Sequence, residues 1–180
     1  MGPRLPRFDM NDVSFHEAWL PASFPGSIVE DTVESGTAAD GLPLETRRVM
    51  SVDDLHLGVF TVEWTPLPFW PRLPAEKRGE LGGRLVLAKL QELCHLHAVS
   101  KTLRREVRPW PGAMIGWLAG ITEAEGDPLM VLAEVRCGDG VMVTKHAVVV
   151  PEAKDLRDAR AFVTTLRPSS RPQALETLAG

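Results

Sequence analysis

Apolar and polar positions along the chain keep two periods, and one stretch separates them. From Glu76 to His97, Leu81, Leu85, Leu90, Leu93 and Leu96, with Val86 and Cys94 beside them, recur mostly at three- and four-residue steps. That spacing lines one face of an α-helix. Glu80, Arg84, Lys89, Gln91 and Glu92 fall mostly on the other faces. Gly82 and Gly83 each cost about 1 kcal/mol relative to alanine inside a helix, so the first turns are weak on their own. Small residues there would let the helix backbone approach a sheet closely. Pro71 and Pro74 prevent a much earlier start.

On either side the period shortens to two. Val13 to Phe24 reads as short β pieces anchored by Phe15, Trp19, Leu20 and Phe24, ended by a turn at Pro25-Gly26. Ile28 to Val33 reads as a strand, Ser35 to Gly41 as a loop and Leu42 to Met50 as a further strand, with Asp53-Asp54 turning the chain. Leu57 to Trp64 alternates, with Gly58, Phe60, Val62 and Trp64 on one face and Leu57, Val59, Thr61 and Glu63 on the other. Beyond the helix, Lys101 to Arg108 is a charged strand, Pro109 to Gly112 a turn, and Ala113 to Thr122 a strand placing Ile115, Trp117, Ala119 and Ile121 together. Glu123 to Pro128 reads as a hairpin loop. Leu129 to Cys137 and Val141 to Val150 flank the hairpin signal Gly138-Asp139-Gly140. A second helix runs from Glu152 to about Leu166, striped by Leu156, Ala159, Val163 and Leu166 with Phe162 adjacent.

Strands, helix, strands, helix is the order of an α+β fold. It predicts a mostly antiparallel sheet with a long crossover helix and a C-terminal helix. Residues 13–168 form the expected domain, between an N-terminal arm of residues 1–12 and a tail of 169–180. Leu85, Leu90, Leu93, Phe60, Val62, Ile115, Trp117, Val131 and Val135 are its expected core.

A chain of 180 residues suits one domain with a real core. A net charge of −4 with scattered basic residues argues against general nucleic-acid binding. The doublets Arg47-Arg48 and Arg104-Arg105 read as solvated strand faces. Cys94 and Cys137 sit at apolar periodic positions and read as buried free thiols. No apolar run approaches the roughly 18 residues that span a bilayer. The N-terminal stretch lacks the apolar core of a signal peptide, which implies a cytoplasmic protein, or an exported one whose leader has been removed.

The turn pattern resembles the PsbP/Mog-like and DcrB-like α/β/α sandwich family over about residues 13–168. Ser23-Phe24-Pro25-Gly26 resembles the end of that family's first strand. Val59 to Pro68 resembles the strand that enters a proline-containing loop before the long helix. Trp110-Pro111-Gly112-Ala113 stands where the family turns into its central hairpin, and Lys145 to Pro151, Phe162 and Leu166 to Ser169 resemble its last strand and short helix. The chain departs from the family in having no lipobox cysteine and no tyrosine. The resemblance implies a non-enzymatic adaptor, assembly factor or chaperone-like binding module, with another protein as its partner and no cofactor.

Catalytic and metal chemistry find little footing in the residues. Cys94, His95 and His97 are the densest ligand cluster, yet a zinc site needs about four converging ligands and only Cys94 and His97 have a facing spacing. The dipole at the helix C-terminus is the expected role of His97. A small metal- or thiol-dependent enzyme or sensor using Cys94 and His97 is the alternative from another class. His16, His56 and His146 are isolated, and no nucleophile elbow is present. Glu123, Glu125 and Asp127 read as a solvated hairpin tip.

The stretch Thr65 to Pro74 holds four prolines together with Phe69, Trp70 and Arg72. Proline at this density excludes both helix and paired strand, leaving an aromatic loop. Phe69, Trp70, Arg72 and Trp110 are therefore the expected partner-binding residues, since stiff aromatic loops make favourable anchors. The competing reading of Phe69 and Trp70 is that their rings fold back to cap the core. The overall expectation is a protein-binding adaptor or assembly module, with a chaperone-like partner of a secretion or envelope system as its nearest alternative.

Overall fold

The computed structural model describes residues 11–14, 21–37, 41, 43–54, 58–124 and 126–164. Two short strands, β1 (Asn11–Ser14) and β2 (Pro21–Phe24), form an antiparallel ribbon. Seven more form one antiparallel sheet: β3 (Ser27–Thr37), β4 (Pro43–Asp53), β5 (Gly58–Pro66), β6 (Val99–Trp110), β7 (Ala113–Ala124), β8 (Asp127–Gly138) and β9 (Val141–Val149). Their order across the sheet is β3-β4-β5-β9-β8-β7-β6, so the last hairpin, β8–β9, lies at the centre and β3 and β6 are the edges. Helix α1 (Ala75–Leu96) joins β5 to β6, and α2 (Ala153–Val163) follows β9. The fold is α+β, as the alternation of periods predicts.

Cross-strand register fixes which residues share a face. Val131, Ala133, Val135 and Cys137 of β8 oppose Val148, His146, Thr144 and Met142 of β9 and Gly120, Leu118, Gly116 and Met114 of β7. With Leu67, Trp70, Val86, Leu90 and Leu93 they build the core beneath α1. The other face carries Phe60, Val62, Leu132, Val143, Ala147 and Val149, packed with Phe24 against Ala159, Phe162 and Val163 of α2. The two helices thus cover opposite faces, which is why β8 from Val131 onward and β9 are buried at nearly every position instead of alternating.

Close helix–sheet approach depends on Gly116. A Cβ there would lie 2.5 Å from Val86 Cγ1 and 2.9 Å from Leu90 Cδ1. The β8–β9 turn uses Asp139 and Gly140 with φ of 53° and 79°, the left-handed pair that a tight hairpin demands. Among the described residues no helix is long and apolar enough to cross a membrane.

Several expectations need correction. Leu85 and Trp117 are only half-buried, Leu85 because it sits at the flank of the α1 stripe, and Trp117 because α2 packs mainly over β8 and β9. Cys94 is likewise half-buried, while Cys137 is buried. β3 runs on through the expected loop to Thr37, and β1 begins inside the expected arm. Glu123–Ala124 and Asp127–Pro128 pair within the expected hairpin loop. The proline-rich stretch is not all loop. Thr65 and Pro66 still pair with Met142 and Val141, and Trp70–Arg72 forms a 3-10 turn. Proline lacks only a donor, so it can end a strand and open a helical turn. Pro109 and Trp110 belong to β6 and not to the turn, because an edge strand tolerates a missing N–H. Phe15, His16, Trp19, Leu20, His56, Leu57, Glu125, Leu166, residues 1–10 and the expected tail lie outside the described residues.

Candidate binding groove

Where α1 passes the edge strand β6, its side chains shrink. Gly82 packs onto Met114 and Trp70, where an added Cβ would lie 3.2 and 3.3 Å from their carbons. A Cβ on Gly83 would lie 3.4 Å from the Met114 methyl, and beside Gly79 there is open space. The result is a furrow of about 490 Å³ lined by Gly79, Gly83, Leu87, Val107 and Met114, with Glu80, Arg84, Arg105 and Glu106 at its rim. A second cavity of about 300 Å³ adjoins it, sharing Gly79 and Met114 and reaching Trp70, Arg78 and Asp139. Both volumes fall in or near the range of ordinary ligand clefts, roughly 300–1,000 Å³. Leu87, on the furrow wall, is 41% exposed.

The outer wall is β6, whose far side has no strand partner among the described residues. Such an edge presents main-chain donors and acceptors that can accept an added strand. Cation–π contacts stiffen β6 on the opposite face: the Arg104 and Arg108 guanidinium carbons stand 5.2 and 4.5 Å from the Trp117 ring. The Trp117 indole N–H donates to Glu134 Oε2 at 2.7 Å.

The residues expected to bind a partner are scattered by the structure. Trp70 is 7% exposed, its ring under Gly82 in the α1 core, so it caps the core. The Leu67 N–H donates to the Gly140 carbonyl at 2.7 Å, folding the proline-rich segment back onto the β8–β9 turn. Phe69 packs half-buried against the same core, Arg72 is exposed, and Trp110 is half-buried at the end of β6. Only Trp70 borders the cavities, and from inside. The furrow itself was hidden in the sequence: Gly82 and Gly83 read there as weak helix, Gly79 drew no reading, and nothing local says that an edge strand stands opposite.

On the α1 face the fold also assembles a buried polar cluster from residues that are far apart in sequence. His97 Nε2 lies 3.0 Å from His146 Nδ1, joining the helix end to β9. Burial pushes the His146 imidazole down to about 3, and burial also lowers His97, so the pair is neutral, one ring donating to the other. Beside it, burial works against the charge of Glu63, but Lys89 and Arg48 hold its carboxyl below the usual range. Lys89 Nζ reaches Glu63 Oε2 at 2.8 Å and Arg48 donates twice to Oε1 at 2.9 and 2.7 Å. Arg48 is therefore a half-buried partner and not a solvated charge; Arg47 pairs with Asp31 at 2.8 Å.

On the α2 face burial pushes Glu134 up to about 7 and Lys145 down to about 8, although they are cross-strand neighbours. Lys145 Nζ donates to the Phe162 carbonyl at 3.2 Å, near the C-terminus of α2. Burial raises the Cys137 thiol to about 12, which leaves it without nucleophilic character at neutral pH. Among the described residues no three His, Cys, Asp or Glu side chains converge on a possible metal position.

No family model and no curated protein matches the chain. Among solved structures it is similar to PA94 of Pseudomonas aeruginosa, a protein of unknown function, at 10% identity and a TM-score of 0.37, covering 84% of this chain and 89% of that one. A likeness so distant carries nothing over to this chain.

Proposed function

We propose that the protein is a non-enzymatic binding or assembly module that takes an extended segment of a partner protein along β6, with apolar side chains entering the furrow beside α1. The furrow is the observation that carries this reading: a cleft with apolar walls whose one side is a helix stripped to glycine and whose other is an unpartnered sheet edge. An extended occupant fits because β6 supplies main-chain hydrogen bonds while the furrow selects side chains. An acidic occupant fits because β6 bears Lys101, Arg104, Arg105 and Arg108 against Glu106 alone. The resemblance of the turn pattern to the PsbP/Mog-like family supports a binding role of the same kind.

Filling the furrow tests it. Open space beside Gly79 accepts a side chain, so Gly79→Leu keeps the fold while obstructing the cleft. Affinity capture from the native cell with wild-type and Gly79→Leu protein, compared quantitatively, should show one or more proteins lost by the variant. Identical capture by both folded proteins contradicts the reading.

A further inference from the structure

The two edges of the seven-stranded sheet carry opposite charge. β3 holds Glu30, Asp31 and Glu34 and no basic residue, whereas β6 is dominated by its four basic side chains. Including each strand's hairpin partner keeps both signs, since β4 adds two arginines and two acids and β7 a single acid, Glu123. Among the described residues both edges are open. Each also shows large apolar side chains: Val29 and Val33 on β3 are 55% and 62% exposed, and Leu103 on β6 is 49% exposed.

Charges on edge strands ordinarily keep copies of a protein apart. That protection needs one sign on both edges, so that every edge-to-edge encounter is repulsive. Here two β3 edges repel, two β6 edges repel, and a β3 edge attracts a β6 edge. Both strands are long enough to pair. Their registers run unbroken from Glu30 to Thr37 and from Arg104 to Trp110, more than the about 5–6 residues of an ordinary strand.

We propose that the acidic extended segment received along β6 is the β3 edge of a second copy of this chain, so that the protein associates head to tail through one continued sheet. This rests on the reading of β6 and its furrow as a strand-accepting surface. The contact is heterologous: one copy offers β3 and the next offers β6, and the series closes into a ring or runs on as a filament. Asp31 and Glu34 already pair with Arg47 and Arg48 at 2.8 Å, and Arg104 with Glu106 at 2.7 Å. These surface pairs are weak and exchangeable, so the association is reversible and salt-dependent.

Sedimentation of the full chain over a range of concentrations tests this, at about 0.01 M and about 1 M salt, where the Debye length falls from about 30 Å to about 3 Å. The mass should rise with concentration at low salt and return to that of the monomer at high salt. Glu30→Lys with Glu34→Lys on β3, and separately Lys101→Glu with Arg104→Glu on β6, should each weaken association by at least about tenfold. Mixing the two variants should restore it, because each then meets an edge of the opposite sign. Glu30→Gln with Glu34→Gln, which adds no new repulsion inside the hairpin, should weaken association less and keep the thermal unfolding of the wild type. A wild type that stays monomeric at low salt overturns the proposal, as does association untouched by either reversal or a mixture that stays monomeric. Loss of captured partners in Gly79→Leu, alongside a strictly monomeric wild type, would leave the groove standing and remove only the self-pairing.

Discussion

The two helices close their faces of the sheet in different ways. Beneath α2 the space is filled by rings: Phe162 meets Phe24 and Phe60 at centroid distances of 5.5 and 5.2 Å, and all three are buried. Beneath α1 the inner flank is just as tight, with Val86, Leu90 and Leu93 fully buried, but the flank toward β6 is glycine and a half-exposed leucine. A helix seals a core where its side chains are large. Where they vanish beside an edge strand, the same helix leaves a cleft. The α2 side is therefore a stability element, and the outer flank of α1 is a surface that stability does not need.

Phe162→Ala is the strongest probe of that contrast. Losing a ring from the sealed face should cost about 3–5 kcal/mol in denaturant unfolding. Trp70→Ala should cost about as much, since Trp70 caps the α1 core; a loss within about 0.5 kcal/mol would return it to the surface. Leu90→Ala on the inner flank should cost about 2–5 kcal/mol. Leu87→Ala, one turn away on the furrow wall, should stay within about 0.5 kcal/mol and weaken partner capture instead. Equal destabilisation by the Leu87 and Leu90 changes would erase the distinction between the flanks.

His146 on the α1 face and Glu134 on the α2 face respond oppositely to pH. Folded His146 resists protonation down to about 3, whereas the unfolded chain protonates near 6.5, so its contribution is lost as pH falls below 6.5. Folded Glu134 keeps its proton up to about 7 against 4.5 unfolded, so its contribution is lost as pH rises from 4.5 towards 7. The two slopes oppose each other between about pH 4.5 and 6.5, and His97, whose imidazole burial also lowers, adds to that of His146. Wild-type stability should therefore fall less on acidification there than it would without Glu134. Glu134→Gln keeps an acceptor for the Trp117 N–H and removes one slope. Its stability should fall by at least about 1.4 kcal/mol per pH unit on acidification below 6.5. A flat profile in that variant would show that His146 is not held neutral.

The architecture was legible because it is written in local periods. Leu90 and Leu93 mark the buried flank of α1, Phe60 and Val62 mark one face of β5, and Asp139-Gly140 marks the central hairpin. The site was not, because it depends on what stands opposite. Gly79 becomes a cleft only once β6 is beside it. Trp70 looks like a free aromatic in a proline-rich loop until a 3-10 turn folds it under Gly82. His146 is isolated in sequence, and β9 and the end of α1 bring it to His97. Arg48 reads as solvated until Glu63 is found buried next to it.

The smallest effects refine the helix that makes the cleft. Ala98, just past α1, has φ of 47°, a conformation costing an L-residue roughly 1–2 kcal/mol, so Ala98→Gly should raise stability by up to about 1 kcal/mol. Gly79→Ala should also stabilise by up to about 1 kcal/mol, because its Cβ meets nothing within 4 Å and glycine is the poorer helix former. A loss of stability would mean that the space beside Gly79 is filled.

A photo-crosslinking side chain at position 87 in the native cell would show whether the furrow between α1 and β6 receives a protein segment. Discrete protein adducts should form at that position, including a crosslinked second copy, and should disappear when Gly79→Leu fills the furrow of the same folded chain. Absence of adducts at position 87, or the same adducts persisting with the furrow filled, would contradict that reading of the furrow.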